Sequence, residues 1–79
     1  MQKVVFKSNQ TILFIPLEDI IQIQFRNRKV YLLTKQQEYQ ICAPLRQYEY
    51  LCRQYGFQKI NRSTIINHNV ITYIDNQTS

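Results

Sequence analysis

His68 is the only histidine in the chain, and neither Cys42 nor Cys52 stands in a Cys-x-x-Cys or Cys/His spacing that would hold a metal. Proton-transfer chemistry is no better supplied. Glu18 and Asp19 are adjacent, so on a strand they would point to opposite faces, and no other carboxylate pair has a spacing suited to acid/base work. With Gly56 as its one glycine, the chain has neither a phosphate-cradling P-loop nor a dinucleotide turn. No enzyme activity, metal, cofactor or small-molecule substrate is therefore expected. His68 reads as a turn or surface residue and the cysteines as reduced, packed thiols; a Cys42–Cys52 bridge stays open, since Cα geometry alone decides it.

What the chain does offer is positive charge. Ten Lys and Arg face five Asp and Glu, a formal charge of +5, which favours an anionic partner, although small soluble proteins also carry such a charge with no nucleic-acid role. Much of it falls in two short stretches, "FRNRKV" and "FQKINRSTIINHNVI", where basic and polar residues are set among closely spaced apolar ones. In the second, Phe57, Ile60, Ile65, Ile66, Val70 and Ile71 read as core, which leaves the polar residues between them to point outward. Six tyrosines could stack on unpaired bases. Of these, Tyr48 and Tyr55 fit a helix core face, and Tyr31, Tyr39 and Tyr73 stay open. No apolar run approaches the ~20 residues that span a bilayer, and no signal peptide is present, so the expected place is the cytoplasm.

The elements that must hold these clusters are mostly strands. At 79 residues the chain has room for one small domain. "VVF" followed by "KSNQT" reads as a strand entering a hairpin, with Asn9 suited to a positive φ, and "TILFI" is the return strand, ended by Pro16. "IIQIQF" alternates Ile21, Ile23 and Phe25 with glutamines, the period of a strand with one buried face. "KVYLLT" and "EYQIC" follow after the links "RNR" and "KQQ". Between Pro44 and Gly56 the period changes: Leu45, Tyr48, Leu51 or Cys52, and Tyr55 share one face of an amphipathic helix. Pro44 suits its first turn and Gly56 its left-handed close. A mainly β fold of antiparallel strands and hairpins packed on one short helix is expected.

In that order, "IPLEDIIQIQ", the helix at "PLRQYEYL", and the run "INRSTIINHNVITYI" after an aromatic residue closely resemble the LytTR family of bacterial DNA-binding domains. Phe57 matches the family's aromatic, Arg62 and Ser63 its Arg-Ser pair, Ile66 and Asn67 its Val-Asn pair, and Ile71 its later Ile. Asn61 stands where the family usually has His. A complete family domain continues with a further strand pair after the position of Ile74, so the resemblance implies one domain over 1–79 short of that pair.

The resemblance also implies a function: sequence-selective binding of double-stranded DNA in a bacterial transcription or response regulator, by loops of a β scaffold set into the major groove. Two copies on repeated sites would be in keeping with the family. Carried over residue by residue, Arg26, Asn27, Arg28 and Lys29 would form one contact tip, and Lys59, Asn61, Arg62 and Ser63 a second. The arginines would donate paired bonds to guanine or phosphate, the asparagines to adenine, and the lysines would hold phosphates. Structural roles compete at each position. The first cluster could merely keep a hairpin tip soluble. Arg62 could pair with Glu18, Asp19 or Asp75, Ser63 could cap a short turn at "TIIN", and Asn67 reads as bonding local backbone. On the same scaffold, a protein-interaction or dimerisation module using an open sheet edge is the alternative function.

Overall fold

The computed structural model describes residues 2–69, which alternating apolar residues and well-placed turn residues divide into seven strands and the helix Leu45–Tyr55. In chain order these are β1 (Lys3–Lys7), β2 (Ile12–Pro16), a 3-10 turn (Leu17–Asp19), β3 (Ile20–Arg26), β4 (Lys29–Thr34), β5 (Glu38–Ile41), α1 (Leu45–Tyr55), β6 (Phe57–Asn61) and β7 (Thr64–Asn67). β1 and β2 make a two-stranded sheet, and the rest make a five-stranded antiparallel sheet in the order β5-β4-β3-β7-β6. The expected fold class, mainly β with one helix, is the one observed.

The core lies between the five-stranded sheet, the hairpin and the helix. Ile23 of the central strand faces Leu32 on one side and Ile65 on the other, so one row of aliphatic side chains crosses three strands. Phe6, Ile20, Ile23, Leu32 and Leu51 are fully buried, each contributing about 1.5–3 kcal/mol by removal from water. Along β1 the alternation is plain: Val4 and Phe6 face inward, and Lys3, Val5 and Lys7 outward. β3 departs from the simple period. A bulge between Ile20 and Gln22 shifts the register, so Ile20 takes the core position that strict alternation assigns to Ile21.

The helix lies where its spacing predicts, with Pro44 just before it and Gly56 closing it at φ +73. Tyr48 and Leu51 form its buried stripe, and the Tyr48 ring meets Phe25 edge-on at 5.1 Å. Leu45 does not join that stripe: it is 67% exposed.

Three other expectations are corrected. "TIIN" is strand β7 rather than a capped turn, so Ser63 caps nothing and lies instead in the link of a β6–β7 hairpin. Asn67 is buried and bonds distant backbone: its Nδ2 donates to Ile20 O at 2.8 Å and to Leu17 O at 3.3 Å, with a single local bond from Asn69 N to its Oδ1. Ile60, at the irregularity between Lys59 and Asn61, is 53% exposed instead of core. Val70 and Ile71 lie outside the described residues.

Candidate nucleic-acid interface

The link between β3 and β4 is two residues long. Arg26 pairs with Lys29, and Asn27 and Arg28 between them have φ of +52 and +64. Positive φ at both central positions is the pattern of the hairpin turn whose twist suits right-handed strands. Asn tolerates it; an arginine there is uncommon. Asn9 does not take the positive φ expected of it. Asn27, Arg28 and Lys29 are exposed at the apex.

Arg26 is held differently. Its Nη2 donates to Glu38 Oε1 at 2.7 Å and its Nη1 to Gln24 Oε1 at 3.1 Å, and its guanidinium carbon sits 4.0 Å from the centroid of the Tyr31 ring. Since Glu38 is level with Leu33, well back along β4 from Lys29, the side chain runs away from the apex across the outer face of the sheet. It braces the hairpin. Nothing in the sequence marks Glu38 and Tyr31 as its partners, because sheet register alone brings them together.

The second link, between β6 and β7, is organised by Asn61, whose Oδ1 accepts from Ser63 N at 2.9 Å and from Ser63 Oγ at 3.1 Å. Arg62 is left exposed at its apex. Among the described residues the one ion pair is Arg26–Glu38, so Arg62 does not pair with Glu18 or Asp19; Asp75 lies outside those residues. Lys59 is not brought to this apex. It pairs with Ile65 and borders a cleft of about 580 Å³ between α1 and the sheet, with Phe25, Tyr48, Cys52 and Arg53. Burial pushes the Cys52 thiol up, opposed by the Lys59 ammonium and helped by Glu49. Burial likewise pushes the Tyr48 hydroxyl up to about 12, and Cys42 adds to it. Neither group is poised as a nucleophile near neutral pH.

The two links are neighbours. β3 pairs with β7 as well as with β4, and Phe25 N donates to Ser63 O at 2.8 Å, which ties the base of one turn to the other. With strands about 5 Å apart, the two turn centres stand about 10 Å from one another.

Strand direction then sorts the charges. β3 and β6 both run toward these turns. β5 does too, since its Ile41 pairs with Val30 beside Lys29, so α1 begins at this end with Arg46 in its first turn. At the opposite end lie Glu18 and Asp19 of the 3-10 turn, where Lys35 N donates to Asp19 O at 2.9 Å. Glu38 opens β5 from that side, and Glu49 sits midway along the helix. Arg28, Lys29, Arg46 and Arg62 are thus gathered at an end that holds no acid among the described residues. Such an end attracts polyanions and carries exposed donors with which to bind them. Among those residues there is also no cluster of three potential metal ligands, and no helix long and apolar enough to cross a membrane.

The family model of the LytTr DNA-binding domain matches residues 10–79. No curated protein matches the chain. Among solved structures, a LytTr DNA-binding domain from Bacillus cereus is similar with a TM-score of 0.67 at 22% identity, covering 87% of this chain and 63% of that one. The likeness is one of fold, and this chain spans less than two thirds of that chain's length.

Proposed function

The chain belongs to the LytTr DNA-binding domain family, and we propose that it binds duplex DNA sequence-selectively, in a cytoplasmic bacterial transcription regulator, by setting its two adjacent turns into the major groove. The observation that carries this is the bond from Phe25 N to Ser63 O, which holds the turns side by side at the basic end. A spacing of about 10 Å lets both enter a groove about 12 Å wide. In this reading Arg28 and Arg62 reach base edges or phosphates with paired N–H groups, Asn27 adds an amide suited to adenine, and Lys29 holds a phosphate. Asn61 and Ser63 shape the turn that presents Arg62. Arg26 and Lys59 support from behind: one braces the β3–β4 hairpin, and the other lends charge at the cleft.

Enrichment from a random duplex pool at two salt concentrations, with Arg62→Ala alongside, tests the proposal. Wild type should enrich a defined motif that Arg62→Ala does not. With about four phosphates neutralised, log affinity should fall against log salt with a slope near −3.6. If nothing is enriched and affinity is indifferent to salt, the proposal is wrong.

One observation favours a second reading. Val5, Ile12 and Phe14 are 47%, 54% and 62% exposed on the outer face of the β1–β2 hairpin, where an apolar partner or a second copy could pair. Association through that face would hardly respond to salt, and copies joined there could occupy repeated sites.

A further inference from the structure

A third turn shares the basic end. β1 begins beside the end of the helix, where Gln2 Nε2 donates to Tyr55 Oη at 2.7 Å, and passes its start, where Gln47 Nε2 donates to Val5 O at 2.7 Å. It therefore runs toward the end at which α1 begins. There Cys42 N donates to Lys7 O at 2.6 Å, and Cys42 directly follows Ile41, the partner of Val30. Lys7 is thus laced to the edge of the five-stranded sheet beside the β3–β4 turn. The hairpin link, closed by Ser8 N to Thr11 O at 2.9 Å, projects at the same end, with Lys7, Asn9, Gln10 and Thr11 exposed and no acid among them.

Lys7 is bridged to Cys42, next to Ile41 on the edge strand that pairs with β4, so it flanks the β3–β4 turn on the side away from the β6–β7 turn. With the other two turns in the groove, Lys7 would stand over the phosphate backbone at its border. We infer that the β1–β2 turn is a third DNA-contacting element, in which Lys7 holds a backbone phosphate and the amides of Asn9 and Gln10 lie in reach of the same strand. Contacts of this kind set register and affinity and leave base preference unchanged. The inference rests on the duplex binding proposed above.

The test is anisotropy of a labelled duplex bearing the enriched motif, titrated between ~50 and ~200 mM salt, beside a scrambled duplex. Removing one phosphate contact should reduce the magnitude of the salt slope by about 0.9 and weaken binding about eightfold at ~0.1 M, to the same degree on both duplexes. Lys7→Gln should do this. Lys7→Arg should restore the slope, and Lys3→Gln, at the far end of the same strand, should leave it as in wild type. If wild type binds and Arg62→Ala weakens it while Lys7→Gln keeps the wild-type slope, the third contact is refuted and the two-turn proposal stands. If wild type binds no duplex, both fall.

Discussion

Arg28 and Arg26 are two residues apart and equally charged, yet they should fail in different ways when removed. Arg28 is at the apex of the β3–β4 turn, whereas Arg26 is bonded to Glu38 at 2.7 Å and lies 4.0 Å over Tyr31. Arg28→Ala takes away a donor pair that costs the fold nothing. If it reads guanine, the loss is about 1–3 kcal/mol of binding, or about five- to 150-fold in Kd, and the salt slope falls by about 0.9. Arg26→Ala should act on stability instead. Both partners of its ion pair are about two-fifths exposed, 43% and 40%, so the pair is worth about 0.2–1 kcal/mol, and the ring contact adds about 0.5–1 kcal/mol. A loss of about 1 kcal/mol lowers Tm by about 4–8 °C in a domain of this size. Thermal unfolding followed by circular dichroism and anisotropy titrations on the same two proteins separate the roles. If Arg26→Ala reduced the salt slope as much as Arg28→Ala while leaving Tm unchanged, the brace assignment would be refuted.

Three further outcomes follow from the fold. Asn67→Ala leaves the carbonyls of Ile20 and Leu17 without their donor, so urea unfolding should show a loss of about 2–4 kcal/mol, against the reasoning if it is below about 0.5 kcal/mol; Asn67→Asp should be worse, with a carboxylate aimed at two carbonyl oxygens. The Tyr48 hydroxyl is buried and without a hydrogen-bond partner among the described residues, so Tyr48→Phe should raise stability by about 1 kcal/mol. Because the folded-state hydroxyl titrates at about 12 against 10.0, its contribution is complete below pH ~10 and is lost as pH climbs through the folded value. Alkaline unfolding curves of wild type and Tyr48→Phe should diverge in that window, and identical curves would contradict the assignment. A side-chain Cβ at Gly56 meets nothing within 4 Å, so Gly56→Ala should cost only the backbone strain of φ +73, about 1–2 kcal/mol, and a larger loss in chemical denaturation would mean the helix closes by other means.

The elements were legible wherever one local signal decided them. Proline and glycine bracket α1, alternation marks β3, and the short polar link between β3 and β4 admits only a tight turn. Illegible were the features set by partners distant in sequence. Ile20 displaces Ile21 from the core because a bulge shifts register against β4. Asn67 looks like a turn residue until the chain brings it to Ile20, 47 positions away. Arg26 looks like part of the apex until β5 supplies Glu38, 12 positions away. For the candidate site this divides the residues: those at the apices, Asn27, Arg28, Lys29 and Arg62, are exposed as their types suggest, Arg26 and Asn61 are bonded to neighbouring side chains and backbone, and Lys59, also exposed, borders the cleft beside the helix.

The basic end itself has a simpler origin than any single contact. In a chain that runs up and down, successive links fall at alternate ends, so parity assigns each link to one end of the molecule. The links after β1, β3, β5 and β6 share an end, and they read "SNQT" behind Lys7, Asn27-Arg28, "CAP" before Leu45 and Arg46, and Arg62-Ser63. Those after β2, β4 and α1 share the other and read "LED", "KQQ" and Gly56. A charge pattern that looks interspersed along the chain is therefore sorted once the strands are counted correctly. The same sorting limits what the helix presents at the basic end. α1 runs from the basic end back toward the other, its buried stripe held against Phe25 and its outer face mixing Arg46, Glu49 and Arg53. It meets the basic end only through its first turn, so in the proposed mode of binding the contacts fall to the turns that project there.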